Sequence, residues 1–516
     1  MFVEKPNEIF DRDDEWNELV RFAHLPQGGA TLGVVSGRRR QGKTFLLDAL
    51  VQAGGGFMFT ATESFEADAL RQYGQALGDH LGEATPLRFV NWDEAIMRTM
   101  TMARRGPTPV VIDEFPFLAR ASPALPSIIQ RALDPAGQRS NTQVRLLLCG
   151  SALSFMGGLL SGTAPLRGRA GLELVVRTLD YRAAARFWDI DDPRTALLVN
   201  AIVGGTPAYR HEFTQDDSPA GPSDFDDWVV RAVLNPARPL FREARYLLAE
   251  EPDIRDPALY HSVLAAIAEG RTRRGEIANF LGRQPSDLAH ALGVLEDAGL
   301  VVREEDAFKS NRGIYRTAEP LLTFYHAVMR PAWGDLERTG RARQVWPRLQ
   351  RTFLSKVVGP HFETVCRNWA RWEADPAVFG GYPTRVAAGI VNDPAARTQH
   401  EVDVAVFGRD DQDREDLLAI GEAKWNETVG TGHLQRLATS APCSTAGTTS
   451  ARTGAGCCCS AAAASPTTYS QWLPPIPASN SSTLPACTRD LDVFRNSLDE
   501  VLEHPQHRFF ATISRA

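Results

Sequence analysis

The order of apolar and polar positions predicts alternating strands and helices in the first third of the chain. Residues 30–36 form an apolar run, a polar loop follows, and from Phe45 to Val51 the apolar residues recur with the spacing of a helix. Two further apolar runs, Pro109 to Ile112 and Val144 to Cys149, have the length of strands. Because runs that are apolar on both faces are typical of parallel sheets, we predict an α/β fold.

The loop after the first predicted strand carries the strongest chemical signal. Its pattern is GxxxxGK[ST], in which backbone N–H groups surround phosphates, the lysine reaches the outer phosphates and the hydroxyl ligates magnesium. A simple glycine turn is the alternative, but the flanking strand and helix favour a phosphate loop. The predicted nucleotide-binding residues are Gly37, Arg38, Arg39, Arg40, Gln41, Gly42, Lys43 and Thr44.

The strand from Pro109 to Ile112 ends in two acidic residues, Asp113 and Glu114. An aspartate there can hold magnesium together with Thr44, and the glutamate can polarise the attacking water. Helix capping is the alternative for the acidic pair, so the interpretation depends on the phosphate loop, and we expect the two motifs on adjacent strands. Ser151, after the third strand, is either a catalytic sensor of the outermost phosphate or an ordinary turn serine.

Two features further along concern catalysis and closure of the nucleotide site. Arg167 and Arg169 lie in a loop with a glycine, and either is a candidate arginine finger or a solvated charge; we take Arg169 as the catalytic candidate. Residues 204–207, Gly-Gly-Thr-Pro, mark a backbone bend in a helical region. We interpret that region as a lid over the nucleotide.

Between residues 256 and 330 the pattern changes to three short helices and a charged hairpin, which together predict a winged helix. In the third helix Leu288, Leu292 and Leu295 share one face and are expected in the core, which leaves Asp287 and His290 outward where a recognition helix reads bases. Residues 269–319 hold eight basic and nine acidic side chains, so the basic footprint of a DNA-binding module is missing. A DNA partner, a protein partner and a packing role all stay open.

The C-terminal third carries a second chemical signal. Two predicted strands, residues 401–406 and 418–424, place Asp403, Glu422 and Lys424 where they converge if the strands pair, since alternate residues share a face. This is the D…ExK arrangement of PD-(D/E)xK nucleases, in which the acids hold a divalent metal. Glu363, on a preceding helix, is a further candidate acid. A salt-bridged hairpin with no catalytic role is the alternative.

Residues 438–488 differ from the rest of the chain. These 51 positions contain one charged residue, Arg452, and are rich in Ala, Ser and Thr. They are either a disordered linker or a stretch read in a shifted frame. In the second case we expect the last strands and helix of the C-terminal domain to be missing or distorted.

Length and charge narrow the class of protein. The 516 residues predict about three domains, and a net charge of -7 gives no global attraction to nucleic acid. The acidic N-terminus lacks the pattern of a secretory signal, and the long uncharged run 146–166 is interrupted by glycines, so we expect a cytoplasmic protein without a membrane segment.

Several stretches together resemble one family, the archaeal-type ATPases, over residues 2–437. This resemblance implies an AAA-like P-loop ATPase followed by a winged helix and a C-terminal domain of unknown function related to restriction endonucleases. It implies ATP binding and hydrolysis with Lys43, Thr44, Asp113 and Glu114, and it ends where the low-charge stretch begins. The matching stretches are residues 37–44, 112–115, 148–151, 204–207, 240–243, 313–316, 362–363 with Cys366, 401–403 and 421–424.

We therefore predict a magnesium-dependent ATPase, with ATP and Mg²⁺ as ligands and a second divalent metal at the nuclease-like site. The alternatives are a nucleotide-gated module with a DNA or protein partner, and an ATP-controlled DNA nuclease. Self-association into a homo-oligomer is open. The predicted segments are an ATPase core (1–180), a helical lid (181–255), a winged helix (256–330), a restriction-endonuclease-like α/β domain (345–437), the low-charge stretch (438–488) and a tail (489–516).

Overall fold

The structure is a computed structural model of the chain. It describes residues 4–25, 29–103, 106–134, 142–249, 256–393, 397–409, 413–425 and 510–515. The low-charge stretch 438–488 lies outside the described residues, and so does the predicted tail apart from a strand at 510–515.

Five strands in the N-terminal part form a parallel sheet, which confirms the α/β fold predicted from the apolar runs. The strands are β1 (Thr31–Ser36), β2 (Phe57–Thr60), β3 (Thr108–Asp113), β4 (Val144–Gly150) and β5 (Ala170–Val175). Their order is β2-β3-β4-β1-β5. Strand β4 pairs with both β1 and β3, so the expectation that the two motif-bearing strands are adjacent is wrong.

Helices cover both faces of this sheet because successive strand residues point to opposite sides. Leu146 and Leu148 of β4 join the core on one face, and Leu147 and Cys149 join the core on the other. The helices of this part are α1 (Asp13–Ala23), α2 (Lys43–Gly54), α3 (Glu66–Leu81), α4 (Trp92–Met100), α5 (Phe115–Ala121), α6 (Leu125–Ala132) and α7 (Leu153–Gly158).

A helical section follows the sheet. Its helices are α8 (Tyr181–Phe187), α9 (Pro193–Val203), α10 (Phe225–Trp228) and α11 (Leu240–Ala249), with π-helical turns at Tyr209–Phe213 and Val229–Val233. The chain bends sharply after α9, where the backbone of Gly205 lies against that of Leu179. Leu179 N–H donates to Gly205 O over 2.9 Å, and a Cβ at residue 205 would lie 1.9 Å from Leu179 O.

Residues 257–317 form three helices and a hairpin, which we call the helix–hairpin unit. The elements are α12 (Pro257–Ala268), α13 (Arg274–Leu281), a 3₁₀ turn (Pro285–Leu288), α14 (Ala289–Asp297), β6 (Val301–Asp306) and β7 (Lys309–Thr317). Leu288, Leu292 and Leu295 are fully buried, as their spacing predicts. Asp287 and His290 are exposed.

The C-terminal part packs helices against one face of a four-stranded sheet. Its helices are α15 (Pro320–Phe324), α16 (Trp333–Leu336), α17 (Ala342–Thr352), α18 (Gly359–Trp372) and α19 (Pro376–Phe379), and its strands are β8 (Arg385–Asp393), β9 (Thr398–Arg409), β10 (Glu415–Lys424) and β11 (Phe510–Arg515). Further turns are the π-helical Tyr325–Met329 and Phe353–Val358 and the 3₁₀ turn Arg330–Ala332. The order is β11-β10-β9-β8, so a last strand completes this sheet after the low-charge stretch.

One hydrophobic core is continuous from Leu179 to Trp425 and includes the helical section, the helix–hairpin unit and α18. The tip of the hairpin also contacts the C-terminal sheet. Ala307 N–H donates to Ala388 O over 2.8 Å, and the rings of Phe308 and Phe407 lie 6.2 Å apart. The hairpin therefore joins the other face of that sheet and is covered at its tip.

Candidate functional site

The phosphate-loop residues lie between the carboxyl end of β1 and the first turn of α2. Gly42 precedes the helix with φ +85, a left-handed conformation that side-chain residues rarely adopt, so glycine is required there. The helix begins at Lys43, and its first backbone N–H groups have no partners within the helix. A helix start of this kind is an anion-binding site.

Lys43 is buried, and its Nζ donates a hydrogen bond to the carbonyl oxygen of Arg38 over 2.8 Å. Burial lowers the pKa of the Lys43 ammonium, and the nearby Cys149, Glu114 and Asp113 oppose that shift. The ammonium therefore lies inside the loop, beside the two acidic residues at the end of β3.

Thr44 and Asp113 come together as the two motifs predict. The Thr44 hydroxyl donates to Oδ2 of Asp113 over 2.7 Å, and Asp113 Oδ1 accepts from the Glu114 N–H over 2.9 Å. Asp113 is buried. The hydroxyl and carboxylate oxygens are hard donors of the kind that Mg²⁺ prefers, and they lie at the start of α2, so these residues fit the ion.

Ser151, at the carboxyl end of the central strand β4, orients Glu114. The Ser151 hydroxyl lies 3.2 Å from each carboxylate oxygen of Glu114. This contact exists because β4, which Ser151 follows, lies between β1 and β3. Glu114 itself has φ +50, an unusual backbone conformation for a side-chain residue.

The loop arginines have different surroundings. Arg39 is exposed. Arg38 forms an ion pair with Glu319, 2.8 Å between Nη1 and Oε2, and Arg40 forms one with Glu243. Both glutamates are buried, and sequence reasoning did not select them. Glu243 belongs to the stretch 240–243 that resembles the ATPase family, and that resemblance could have identified it as a candidate.

Arg169 lies at the amino ends of the sheet strands, opposite the ends that carry the phosphate loop. It directly precedes β5, whose amino end is remote from the carboxyl ends where the phosphate loop and Asp113 are found. Its guanidinium pairs with Asp134 over 2.6 Å. Arg167 Nη1 donates to the Gly162 carbonyl over 2.7 Å. The structure therefore does not bring Arg169 to the phosphate loop of its own chain.

The four candidate residues of the C-terminal part do come together. Asp403 of β9 and Glu422 of β10 are buried, and Lys424 Nζ lies 3.3 Å from Asp403 Oδ2 and 3.5 Å from Glu422 Oε1. Asp403 Oδ2 also accepts the Ala423 N–H over 2.9 Å. Burial, and then the charge of Asp403, raises the pKa of Glu363 to about 7.

These carboxylates do not make a complete metal site. Among the described residues, no group of three or more His, Cys, Asp and Glu side chains is placed to hold a metal ion. The Lys424 ammonium lies against both Asp403 and Glu422, where a cation would bind. The second divalent metal therefore does not fit the arrangement as it stands, and we derive no step from it.

Within the described part of the chain, no helix has both the length and the apolar character needed to span a bilayer.

Comparison with known proteins gives relatives that differ strongly in sequence. No family model matches the chain. An uncharacterized protein of Methanocaldococcus jannaschii is 26% identical over 331 residues, 63% of this chain and 70% of that protein.

Three solved structures match parts of this chain at low sequence identity. The Walker-type ATPase of Pyrococcus abyssi is 19% identical with a TM-score of 0.48, and the match covers 64% of this chain and 99% of that one. The Aeropyrum pernix ORC2 protein, in ADPNP-ADP complexes, is 14% identical with a TM-score of 0.38, covering 68% and 97%. The Thermotoga maritima RuvB Holliday junction branch migration motor is 15% identical with a TM-score of 0.31, covering 60% and 95%.

Proposed function

We propose that the protein binds ATP with Mg²⁺ and hydrolyses it. The contact between the Thr44 hydroxyl and Asp113, at the start of the helix that follows the phosphate loop, carries this proposal. It is supported by the buried Lys43 inside the same loop and by Glu114, which Ser151 orients at the same edge of the sheet.

Each residue has a separate task in the proposed reaction. The backbone N–H groups at the start of α2 bind the phosphates, and Lys43, whose ammonium donates one hydrogen bond to the Arg38 carbonyl, uses a remaining N–H for a phosphate oxygen. Glu114 orients the water that attacks the outermost phosphate, and Ser151 holds the glutamate carboxylate in place. Magnesium, when held by Thr44 and Asp113, supplies positive charge that neutralises the phosphate oxygens.

Two substitutions separate binding from hydrolysis. Lys43→Ala removes the cation inside the loop, so we expect loss of ATP binding in calorimetry. Glu114→Gln keeps the shape of the side chain but cannot accept a proton, so we expect ATP binding without turnover in a phosphate-release assay. Lys309→Ala, on the hairpin, is the control for loss of a lysine. Equal ATP affinity in wild type and Lys43→Ala overturns the proposal.

We also propose that residues 256–330 are a winged helix and residues 345–437 a restriction-endonuclease-like domain. The support is the three helices and hairpin in the first and the α18-covered sheet with Asp403, Glu422 and Lys424 in the second. A DNA or protein partner would meet the exposed Asp287 and His290, because the hairpin tip packs on β8. The absence of basic excess in this unit favours a protein partner or an internal packing role.

A nuclease activity is the second candidate function. The convergence of Asp403, Glu422 and Lys424 favours it, and it requires that an added metal ion displace the Lys424 ammonium from the two carboxylates. Plasmid and single-stranded DNA would be incubated with the protein, Mg²⁺ or Mn²⁺, and with or without ATP. Cleavage that disappears in Asp403→Ala and Lys424→Ala, but not in Asp416→Ala on the same strand pair, supports a nuclease. Cleavage that survives both substitutions comes from a contaminant, and no cleavage under any condition removes this candidate.

A further inference from the structure

Two arginines of the phosphate loop end on buried carboxylates that come from distant parts of the chain. Arg38 pairs with Glu319, whose side chain is 3% exposed. Arg40 pairs with Glu243, whose side chain is 1% exposed. Burial raises the pKa of Glu319, and the Arg38 guanidinium opposes that shift. A phosphate loop needs positive charge for its ligand, yet here two of its charges are committed to protein carboxylates.

Arg38 lies at the base of the β6–β7 hairpin. Glu319 follows β7 and directly precedes α15. On the other side Gly299 precedes β6, and a Cβ at residue 299 would lie 3.4 Å from Cδ of Arg38. The base is closed by the hydrogen bond from Ala318 N–H to Leu300 O, 2.9 Å. One loop side chain therefore contacts both ends of the hairpin.

Lys43 connects this contact to the phosphates. Its Nζ donates to the main-chain oxygen of Arg38, so the ammonium that would reach the phosphates is bonded to the residue that pairs with Glu319. The phosphates also bring negative charge next to a guanidinium that Glu319 now neutralises. Because the pair is shielded from water, the two anions compete for Arg38 more strongly than they would at an exposed site.

Resting on the proposed ATP binding, we propose that Glu319 is a positioning residue of the nucleotide site. It holds Arg38 through the buried ion pair and gives it up in part when phosphates occupy the loop, so that phosphate occupancy loosens the hairpin base and α15. Glu243 has the same relation to Arg40 and α11.

The hairpin extends this effect to the C-terminal sheet. Its base contacts the phosphate loop through Arg38, and its tip packs on β8 through Ala307 and on β9 through Phe308. By linkage, if ATP changes the affinity for a partner bound to the hairpin, that partner changes the affinity for ATP by the same factor.

Hydrogen exchange and calorimetry test the proposal on the full-length protein. The peptides covering residues 318–324 would be followed with and without Mg-ATP in wild type and Glu319→Gln. The matched control is Asp306→Asn, which neutralises another buried carboxylate of the hairpin. Asp306 pairs with Arg273 over 3.5 Å and not with a residue of the phosphate loop. Retention of the fold is checked by circular dichroism.

In wild type, we expect Mg-ATP to speed exchange at residues 318–324 by about fivefold or more. In Glu319→Gln, we expect fast exchange without ATP, no further change on adding it, and ATP affinity raised by about fivefold because the competing carboxylate charge is gone. Asp306→Asn should keep the wild-type response in both measurements. If Glu319→Gln fails to fold, Arg38→Gln with Glu319→Gln removes both charges, and exchange at 318–324 should then no longer respond to ATP.

The outcomes separate this inference from the proposed function. ATP binding that depends on Lys43 but leaves exchange at 318–324 unchanged in wild type overturns the inference alone. An affinity change in Asp306→Asn equal to that in Glu319→Gln also overturns it. A wild-type protein that does not bind ATP overturns both proposals.

Discussion

At the scale of single residues, the proposed nucleotide site contains charged side chains that are kept away from water and balanced against each other. Lys43 lies among Asp113, Glu114 and Cys149, and burial lowers its pKa while the acids oppose that shift. Desolvation also raises the pKa of the Cys149 thiol, so at neutral pH this side chain is a small neutral group beside Asp113. Lys43 is therefore the cation that offsets Asp113 and Glu114 in this site.

Two neighbouring histidines outside the candidate sites, the half-buried His261 and the buried His326, give a testable pH dependence. The rings of His261 and His326 lie 5.5 Å apart, and among the described residues neither ring nitrogen of His326 has a hydrogen-bond partner. Burial, and then the charge of Arg330 beside it, lowers the pKa of His261 to about 4, with Arg245 adding to the shift. Burial, His261 and Arg330 lower the pKa of His326 to about 3.

We expect the protein to lose stability as the pH falls below about 6.5. Between that value and the lowered pKa values the unfolded chain binds more protons than the folded one, so protonation favours unfolding. His326 alone should cost about 2 kcal/mol at pH 5 relative to neutral pH. Thermal unfolding at pH 7 and 5 measures this effect, and His326→Phe should reduce the dependence, while the share of His261 remains.

The exposed His290 provides the control for this experiment. His290→Gln removes a histidine from the surface of α14 and should leave the pH dependence of the melting temperature as in wild type. If His326→Phe melts with the wild-type pH dependence, His326 is not a source of that dependence.

At the scale of elements, the bend after α9 fixes how the helical section meets the sheet. Gly205→Ala would place a Cβ 1.9 Å from the Leu179 carbonyl oxygen, and both partners are backbone, so neither can move without breaking the bond from Leu179 N–H to Gly205 O. We expect a loss of at least about 2 kcal/mol of stability, seen in urea unfolding.

Gly275→Ala is a matched control for the bend. Residue 275 is in the first turn of α13, and a Cβ there would have no neighbour within 4 Å. Because alanine is a better helix former than glycine, this substitution should be neutral or stabilising. A Gly205→Ala protein as stable as wild type would show that the bend tolerates a side chain.

The elements themselves are largely predictable from the sequence, whereas their partners are not. The apolar runs place β1, β3 and β4 correctly, and the spacing of Leu288, Leu292 and Leu295 identifies a buried face, because both signals are local. The insertion of β4 between β1 and β3 depends on pairing over long sequence distances, which no local pattern encodes.

The same reason explains which site residues were missed. Lys43, Thr44, Asp113 and Glu114 follow from short motifs, but Glu319 is 281 positions away from Arg38 and has no motif of its own. The last strand of the C-terminal sheet also escapes prediction, since it follows the low-charge stretch that suggested a distorted end.

At the scale of the whole molecule, the carboxyl ends and the amino ends of the parallel strands carry different functional side chains. The carboxyl ends of the strands hold Lys43, Thr44, Asp113, Glu114 and Ser151, and the amino end of β5 holds Arg169 with Asp134. Arg169 therefore acts on a nucleotide only if a second copy of the chain presents its phosphate loop to those amino ends. An arginine finger supplied by a neighbour is a known way to stabilise charge during phosphoryl transfer.

Arg169→Ala should accordingly keep the ATP affinity of wild type, because its guanidinium is remote from its own phosphate loop. In a monomeric preparation we expect the hydrolysis rate to be unchanged, and in a self-associating one we expect it to fall by about a thousandfold, the lower end of the range for loss of such an arginine. Mass measurement with and without ATP assigns the oligomeric state. In an oligomer, mixing Arg169→Ala with Lys43→Ala should restore part of the activity, since a contact between the two variants joins the intact phosphate loop of one to the intact arginine of the other. Arg131→Ala, which breaks a surface pair with Asp93, is the control. Loss of hydrolysis in monomeric Arg169→Ala would contradict the separation of the two ends.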